Sequence, residues 1–166
     1  MTTESEHADH LDEAVVRVLY HKLLDRWNEN DARGFADLFA DDGSVVGFDG
    51  SQVNGRRDIE AHLAGIFSNH KVAAFIGIVR EVRQLAQDVE LLRAVTGTVP
   101  PGQTDINPKT NAVQSLIAVR SHGEWRLAHF HNTPAALHGR PDLSDALTEE
   151  LRQELKRNPL LEPDEN

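Results

Sequence analysis

Val72–Leu85, VAAFIGIVREVRQL, and Asp88–Val99, DVELLRAVTGTV, are two β-branched and aliphatic runs joined at Ala86-Gln87. Asn111–Ser121, NAVQSLIAVRS, and Glu124–Thr133, EWRLAHFHNT, form a second pair joined by His122-Gly123. Long runs bounded by short polar joints read as antiparallel hairpins, so residues 72–133 are predicted to form one meander. Between the pairs lies PPGQTDINPK, residues 100–109, too long and Pro-rich for a tight turn. It is either a lid or, as the favoured reading, a loose hairpin end.

Helical patterns flank the meander. Val16, Leu19, Tyr20, Leu23 and Trp27 recur at three- and four-residue steps, predicting an amphipathic helix over Leu11–Asn28. Asp31 is a good N-cap for a short second helix that buries Phe35, Leu38 and Phe39 and stops at Ala40–Gly43, with Gly43 as a left-handed cap. Ser44–Phe48 reads as a strand with a turn at Asp49-Gly50. A third helix is expected over Asp58–Phe67, its stripe being Ile59, His62, Leu63, Ile66 and Phe67. A last helix follows Ser144, with Leu147, Leu151 and Leu155 on one face, and ends before Pro159. The fold class is therefore α+β: three N-terminal helices on a curved, mainly antiparallel sheet, with an additional C-terminal helix. The sheet must curl to bury the helical stripes, giving a cone with a cavity. Residues 11–157 form the single domain, and 1–10 and 158–166 are expected to be disordered tails.

The net charge of −10 is concentrated at the ends: residues 1–13 and 142–166 each carry −5, and the body between them is neutral. Acidic ends on a neutral body argue against nucleic acid as a partner. No apolar run is long enough for a membrane span, and the polar, acidic start has the wrong chemistry for a secretory signal. A soluble, cytoplasmic protein is expected. The absence of Cys removes disulfides, thiol nucleophiles and thiolate metal sites. No dinucleotide fingerprint, P-loop or nucleophile elbow occurs, so no cofactor is expected.

Four motifs occur in order: Trp27-Asn28; Phe35-Ala36-x-Leu38-Phe39-Ala-Asp-Asp-Gly43; Gly55-Arg56-x-x-Ile59-x-x-His62; and Trp125-Arg-Leu-Ala-x-Phe130-His-Asn-Thr133. Together, over about residues 12–133, they resemble the NTF2-like superfamily (SnoaL-like, DUF4440). Within it, the ending Phe-His-Asn-Thr after Trp-Arg is similar to the SgcJ/EcaC family, associated with enediyne polyketide biosynthesis. The resemblance implies a cone-shaped fold, a homodimer through the outer sheet face, and a pocket for a small hydrophobic ligand. It also implies chemistry of a cyclase, an isomerase or a cofactor-independent oxidoreductase. Ketosteroid isomerases of this superfamily need a carboxylate base and a phenol donor. By the resemblance those positions fall at Gly47 and Leu23, with a second carboxyl near Ser115. All three are vacant here, which excludes that mechanism.

The same alignment turns Leu23, Trp27 and His62 inward, with Ala128, Phe130 and Asn132 on the last strand. Alternation then sends Trp125, Leu127, His129 and His131 to the other face. His62, desolvated in an apolar stripe, is a candidate general base; the competing reading is a core imidazole satisfied by a carbonyl. Asn132 is a candidate carbonyl or oxyanion donor, or else a tie at the strand end. Leu23, Trp27, Ser115 and Phe130 are candidate ligand contacts, Trp27 by stacking or merely as core. Arg56 is an anion contact or a structural ion pair. Tyr20 is placed near the pocket mouth. His129 and His131 have metal-like spacing but no third ligand, so no metal is expected. A pocket protein acting on a polyene intermediate and a dimeric assembly module with a vestigial pocket both remain open.

Overall fold

The computed structural model describes residues 3–160. Its elements run α1 (Glu4–Asn28), α2 (Ala32–Asp37), β1 (Phe39–Val46), β2 (Gln52–Asn54), α3 (Arg56–Asn69), β3 (Ala74–Ala86), β4 (Val89–Val99), β5 (Ala112–Ser121), β6 (Glu124–Pro134) and α4 (Pro141–Arg157). The six strands form one sheet in the order β2-β1-β6-β5-β4-β3. Every pairing is antiparallel except β1 with β6, which is parallel. This is a mixed α+β fold, and among the described residues it has four α-helices.

Helix α1 starts well before the expected Leu11, so Glu4–His10 are helical rather than disordered. A capping box explains the early start: Thr3 accepts from the Glu6 N–H while the Glu6 carboxylate accepts from the Thr3 N–H. Met1, Thr2 and residues 161–166 of the expected tails lie outside the described residues. Val16, Leu19, Tyr20, Leu23 and Leu24 are buried against the inner face of the sheet. At its far end Trp27 donates Nε1–H to the Ala73 carbonyl, 2.9 Å. Asn28 accepts from the Phe75 N–H and donates to the Phe75 carbonyl, serving β3 as a strand neighbour would.

The second helix ends earlier than expected, and Phe39–Asp42 already belong to β1. Gly43 is not in a left-handed conformation. A Cβ there would lie 2.8 Å from the Leu127 carbonyl oxygen and 3.0 Å from the Phe39 ring, so glycine permits close approach of β1 to β6. The β5–β6 hairpin turns at His122-Gly123, both with positive φ, the signature of a type I′ turn.

The two sheet faces are assigned by neighbouring glycines. A Cβ on Gly77 would meet Tyr20 and Leu24 of α1; one on Gly97 would meet Leu151 of α4 and Ile106. Helix α4 thus covers the outer face of β3–β4, around a second small core of Ile76, Val95, Val99, Ile106 and Leu151. It begins at Pro141, a residue suited to the first helical turn, rather than after Ser144. The 100–109 segment is not loose. Ile106 is buried, Asn107 caps a 3₁₀ turn at Pro108–Thr110, and Asp105 takes a two-pronged bond from Arg152 of α4.

Candidate functional site

The inner face of β5 carries Ala112, Gln114, Leu116 and Ala118, all buried. Opposite Gln114 on β6 stands Asn132, 7% exposed, and the next inward residue, Phe130, stands opposite Leu116. These rows build a polar chain in apolar surroundings. The Tyr20 hydroxyl donates to Gln114 Oε1 at 2.7 Å, and Gln114 Nε2–H donates to Asn132 Oδ1 at 3.3 Å. Burial pushes the Tyr20 phenol far up, so it stays an O–H donor and fixes the sense of the chain. Each amide then presents its oxygen toward Tyr20 and its NH₂ away, leaving Asn132 Nδ2 as a donor with no partner among the described residues. Thr96, fully buried on the same face beside Ala112, has an Oγ1 without a partner as well.

Gly47 follows Val46, which pairs with His131, so it lies level with Asn132. A Cβ built on Gly47 would meet only Asp49 Oδ1 at 3.5 Å and the Ser51 carbonyl at 3.8 Å. The position where the isomerase resemblance puts its base therefore has room for a side chain, and it lies level with Asn132 on the neighbouring strand.

His62 does not join this chain. Leu63 and Ile59 point to the core, and His62 is exposed. At 3.6 residues per turn it stands roughly 85° from the centre of the Ile59/Leu63/Ile66/Phe67 stripe, at its solvent edge. It lies on the rim, near enough to Asp49 to help hold that carboxylate below its usual range, after the stronger effect of the hydrogen bonds from Ser51. Burial, the reason for expecting an imidazole base, is missing.

Ser115 also falls elsewhere. It pairs with His131 on the outer face, and its neighbour Gln114 takes the inward place. Leu23 is fully buried and Phe130 nearly so, both within the main core. Trp27 is half-buried with Phe35, Phe67 and Phe75 packed round its ring, so it offers no free stacking face. Tyr20, expected near the pocket mouth, is fully buried and starts the polar chain. Arg56 is occupied structurally: Nε and Nη2 donate to the Phe39 carbonyl and Nη1 pairs with Asp41.

On β6 the strict alternation fails at Ala128. The register shifts there, with Ala118 opposite Leu127 and Ile117 opposite His129, so Ala128 is the extra residue of a bulge. Leu127 consequently enters the core and Trp125 packs against it, whereas alternation predicts both outside and Ala128 inside. His129 and His131 do face outward. His129 shares a 2.7 Å bond with Ser44, and burial, with His131 nearby, lowers its pKa. Among the described residues no three His, Cys, Asp or Glu side chains converge.

Sequence reasoning missed Gln114 and Glu90. Gln114 sits in phase with Leu116 and Ala118, which would have identified it as inward. Glu90, 1% exposed, faces inward with neither carboxylate oxygen hydrogen-bonded, and burial followed by Glu13, Asp12 and Asp9 raises its pKa. It pairs with Ala118, four residues along β5 from Gln114, or about 13 Å. That separation is too great for proton transfer to a ligand held by Asn132.

Beneath the helices Leu23, Phe35, Phe39, Ile59, Leu116 and Phe130 pack with their neighbours into one core. Two recesses, of about 570 Å³ and 390 Å³, lie elsewhere on the surface. The first runs between α1 and the β5–β6 hairpin, and the second lies beside Arg56 and His122. Among the described residues no helix is long and apolar enough to cross a membrane.

Comparison with known proteins agrees with this architecture. A family model described as a SnoaL-like domain matches residues 16–136. A domain of unknown function with a cystatin-like fold from Nostoc punctiforme is 25% identical, with a TM-score of 0.73 over 94% of this chain and 93% of that one. An uncharacterized protein with a cystatin-like fold from Caulobacter vibrioides is 27% identical, with a TM-score of 0.60 over 77% and 94%. ActVI-ORFA from Streptomyces coelicolor shares the fold at 19% identity, with a TM-score of 0.60 over 74% and 96%. No curated protein matches in sequence. The model match spans most of the chain and all six strands, and on that ground the chain belongs to the SnoaL-like domain family.

Proposed function

We propose that this protein binds a hydrophobic, carbonyl-bearing intermediate of enediyne-type polyketide biosynthesis at the open end of the cone and steers its cyclisation, isomerisation or oxidation. The observation that carries the reading is the Tyr20–Gln114–Asn132 chain, which leaves the Asn132 amide N–H without a partner among the described residues, at the level of Gly47 on the neighbouring strand. A preoriented donor in an apolar setting can hold a ligand carbonyl and stabilise negative charge developing on its oxygen. Trp27 and Phe130 supply apolar wall. The SnoaL-like family includes polyketide cyclases, which suits this ligand class. Asn132 acts by positioning and polarising, and the carboxylate that stands by the Gly47 position is Asp49, 3.5 Å from a Cβ built there, whereas His62 is exposed on the rim.

The test is thermal unfolding against a series of conjugated polyene ketones, comparing the wild type with Asn132→Leu and His62→Ala. Saturation at a hundredfold over Kd stabilises by about 2.7 kcal/mol, a rise of several degrees in Tm. The wild type and His62→Ala should shift alike, and Asn132→Leu should lose the shift.

The burial of Leu23 and Phe130 in the main core favours a second reading, a non-catalytic module that dimerises through the outer sheet face. An unchanged Tm with every ketone, together with a dimer abolished by Ile117→Glu on that face, would select it.

A further inference from the structure

Strand β6 carries different chemistry on its two faces. Phe130 and Asn132 look inward and are buried, whereas His129 and His131 look outward and are half-buried. The proposed ligand site uses only the inner face. Same-face neighbours stand about 6.6 Å apart along a strand. The His129 and His131 ring centres are 5.7 Å apart, so the imidazoles lean toward each other. Two imidazoles on one tetrahedral ion, with metal–nitrogen bonds of about 2.0–2.1 Å, have ring centres roughly 5 Å apart. A small rotation of either side chain closes the difference.

The surroundings suit such a pair. In register, His129 stands between Ser44 of β1 and Ile117 of β5, and His131 stands between Val46 and Ser115. None of these four is charged, so no ammonium or guanidinium opposes a cation from a neighbouring strand position. Ser44 Oγ lies 2.7 Å from His129 Nδ1. With Nδ1–H donated to that hydroxyl, Nε2 carries the free lone pair, and the bond fixes both the tautomer and the ring plane. His131 makes no hydrogen bond among the described residues, which leaves its nitrogens free to bind. The want of a third protein ligand rules out a closed metal centre but not an open one.

We infer that His129 and His131 together chelate one divalent late transition ion (copper, nickel or zinc), with water in the remaining positions and Ser44 as the positioning residue. Imidazole nitrogens suit these ions, whereas magnesium and calcium seek oxygen. The ion braces the sheet at its one parallel seam, because both ligands are on β6 and the orienting hydroxyl is on β1. Asn132 follows His131 directly, so a brace on the outer side of β6 also steadies the inward donor.

The test is calorimetric titration of the full chain with Cu²⁺, Ni²⁺, Zn²⁺ and Mg²⁺, comparing the wild type with His129→Ala, His131→Ala and Ser44→Ala. One Cu²⁺ should bind per chain, Ni²⁺ and Zn²⁺ more weakly, and Mg²⁺ not at all. Ser44→Ala should weaken Cu²⁺ by about 10–100-fold, the usual effect of losing an outer partner, and loss of either His by more. Failure of the wild type to bind Cu²⁺ would overturn the inference. The chain has nine His, so undiminished binding by His131→Ala would put the metal elsewhere and overturn it too. That variant breaks no hydrogen bond and should keep its metal-free urea midpoint. Independently, paramagnetic resonance of the Cu²⁺-loaded wild type should show two coordinated imidazole nitrogens, and a single one would overturn the chelate. Hydrogen exchange of β1 and β6 amides should slow when Zn²⁺ is added to the wild type, and unchanged exchange would overturn the brace.

Discussion

The Tyr20 hydroxyl and the Gln114 side chain, 94 residues apart in sequence, meet at 2.7 Å in the interior. Removing that hydroxyl leaves Gln114 Oε1 unsatisfied. Tyr20→Phe should therefore cost about 1–3 kcal/mol, measured as a lower urea midpoint at constant m. The same variant frees the Gln114 amide to rotate, so it should also weaken any ligand held by Asn132, although Tyr20 itself does not line the mouth.

Gly77 lies under this bond. A Cβ there would stand 2.6 Å from the Tyr20 hydroxyl and 2.7 Å from Leu24 Cδ1. Gly77→Ala should destabilise by about 1–3 kcal/mol through overpacking. Gly65→Ala, where an added Cβ meets nothing and the helix gains propensity, should stabilise by up to about 1 kcal/mol. Chemical denaturation of the pair checks both signs.

Glu90 gives the pH dependence. Its folded pKa is raised, by burial first and then by Glu13, Asp12 and Asp9, so the folded state holds this proton to higher pH than the unfolded chain does. This contribution to stability must therefore fall as pH rises from the ordinary carboxylate range through the raised folded value, and stay low above it. Glu90→Leu should remove that decline and stabilise the protein at pH 7 by about 1–4 kcal/mol, seen in urea titrations at several pH values. An identical pH profile in the variant would refute the assignment.

The 100–109 segment is held by one apolar anchor and one ion pair, and magnitude decides between them. Asp105 and Arg152 are well exposed, and such pairs contribute about 0–1 kcal/mol. Ile106 is buried between β4 and α4, where truncation to Ala costs about 2–5 kcal/mol. Ile106→Ala should thus loosen the segment in hydrogen exchange far more than Arg152→Ala.

The elements most legible in the sequence are those with one unambiguous period. The α1 stripe and the β3–β6 meander follow directly from their apolar spacing, and Asn132 faces inward as alternation requires. Legibility fails where one residue changes the phase. The bulge at Ala128 exchanges the faces of Trp125 and Leu127, and no local pattern marks it. In Asn111–Ser121 the adjacent Gln114 and Ser115 offer two phases, and only continuity with Leu116 and Ala118 separates them. His62 fails for a different reason: membership of a helical stripe is a matter of angle, and its edge is already solvent. The capping box at Thr3 is readable as a motif, but its acidic residues also suit a disordered tail.

The one parallel pairing carries a consequence for the order of assembly. Strand β1 reaches the rest of the sheet only through β6, with Ser44 and His129 bonded across 85 residues, and β2 hangs on β1 alone. On the ribosome, β1 and β2 must therefore wait for almost the whole chain to emerge before they find their place. The β3–β4 and β5–β6 hairpins can close locally and early, so they are the natural nucleus, and docking of β1 is the slow, high-contact-order step. Until then β1's apolar side chains stay uncovered, which makes the nascent N-terminal third the stretch most in need of chaperone protection.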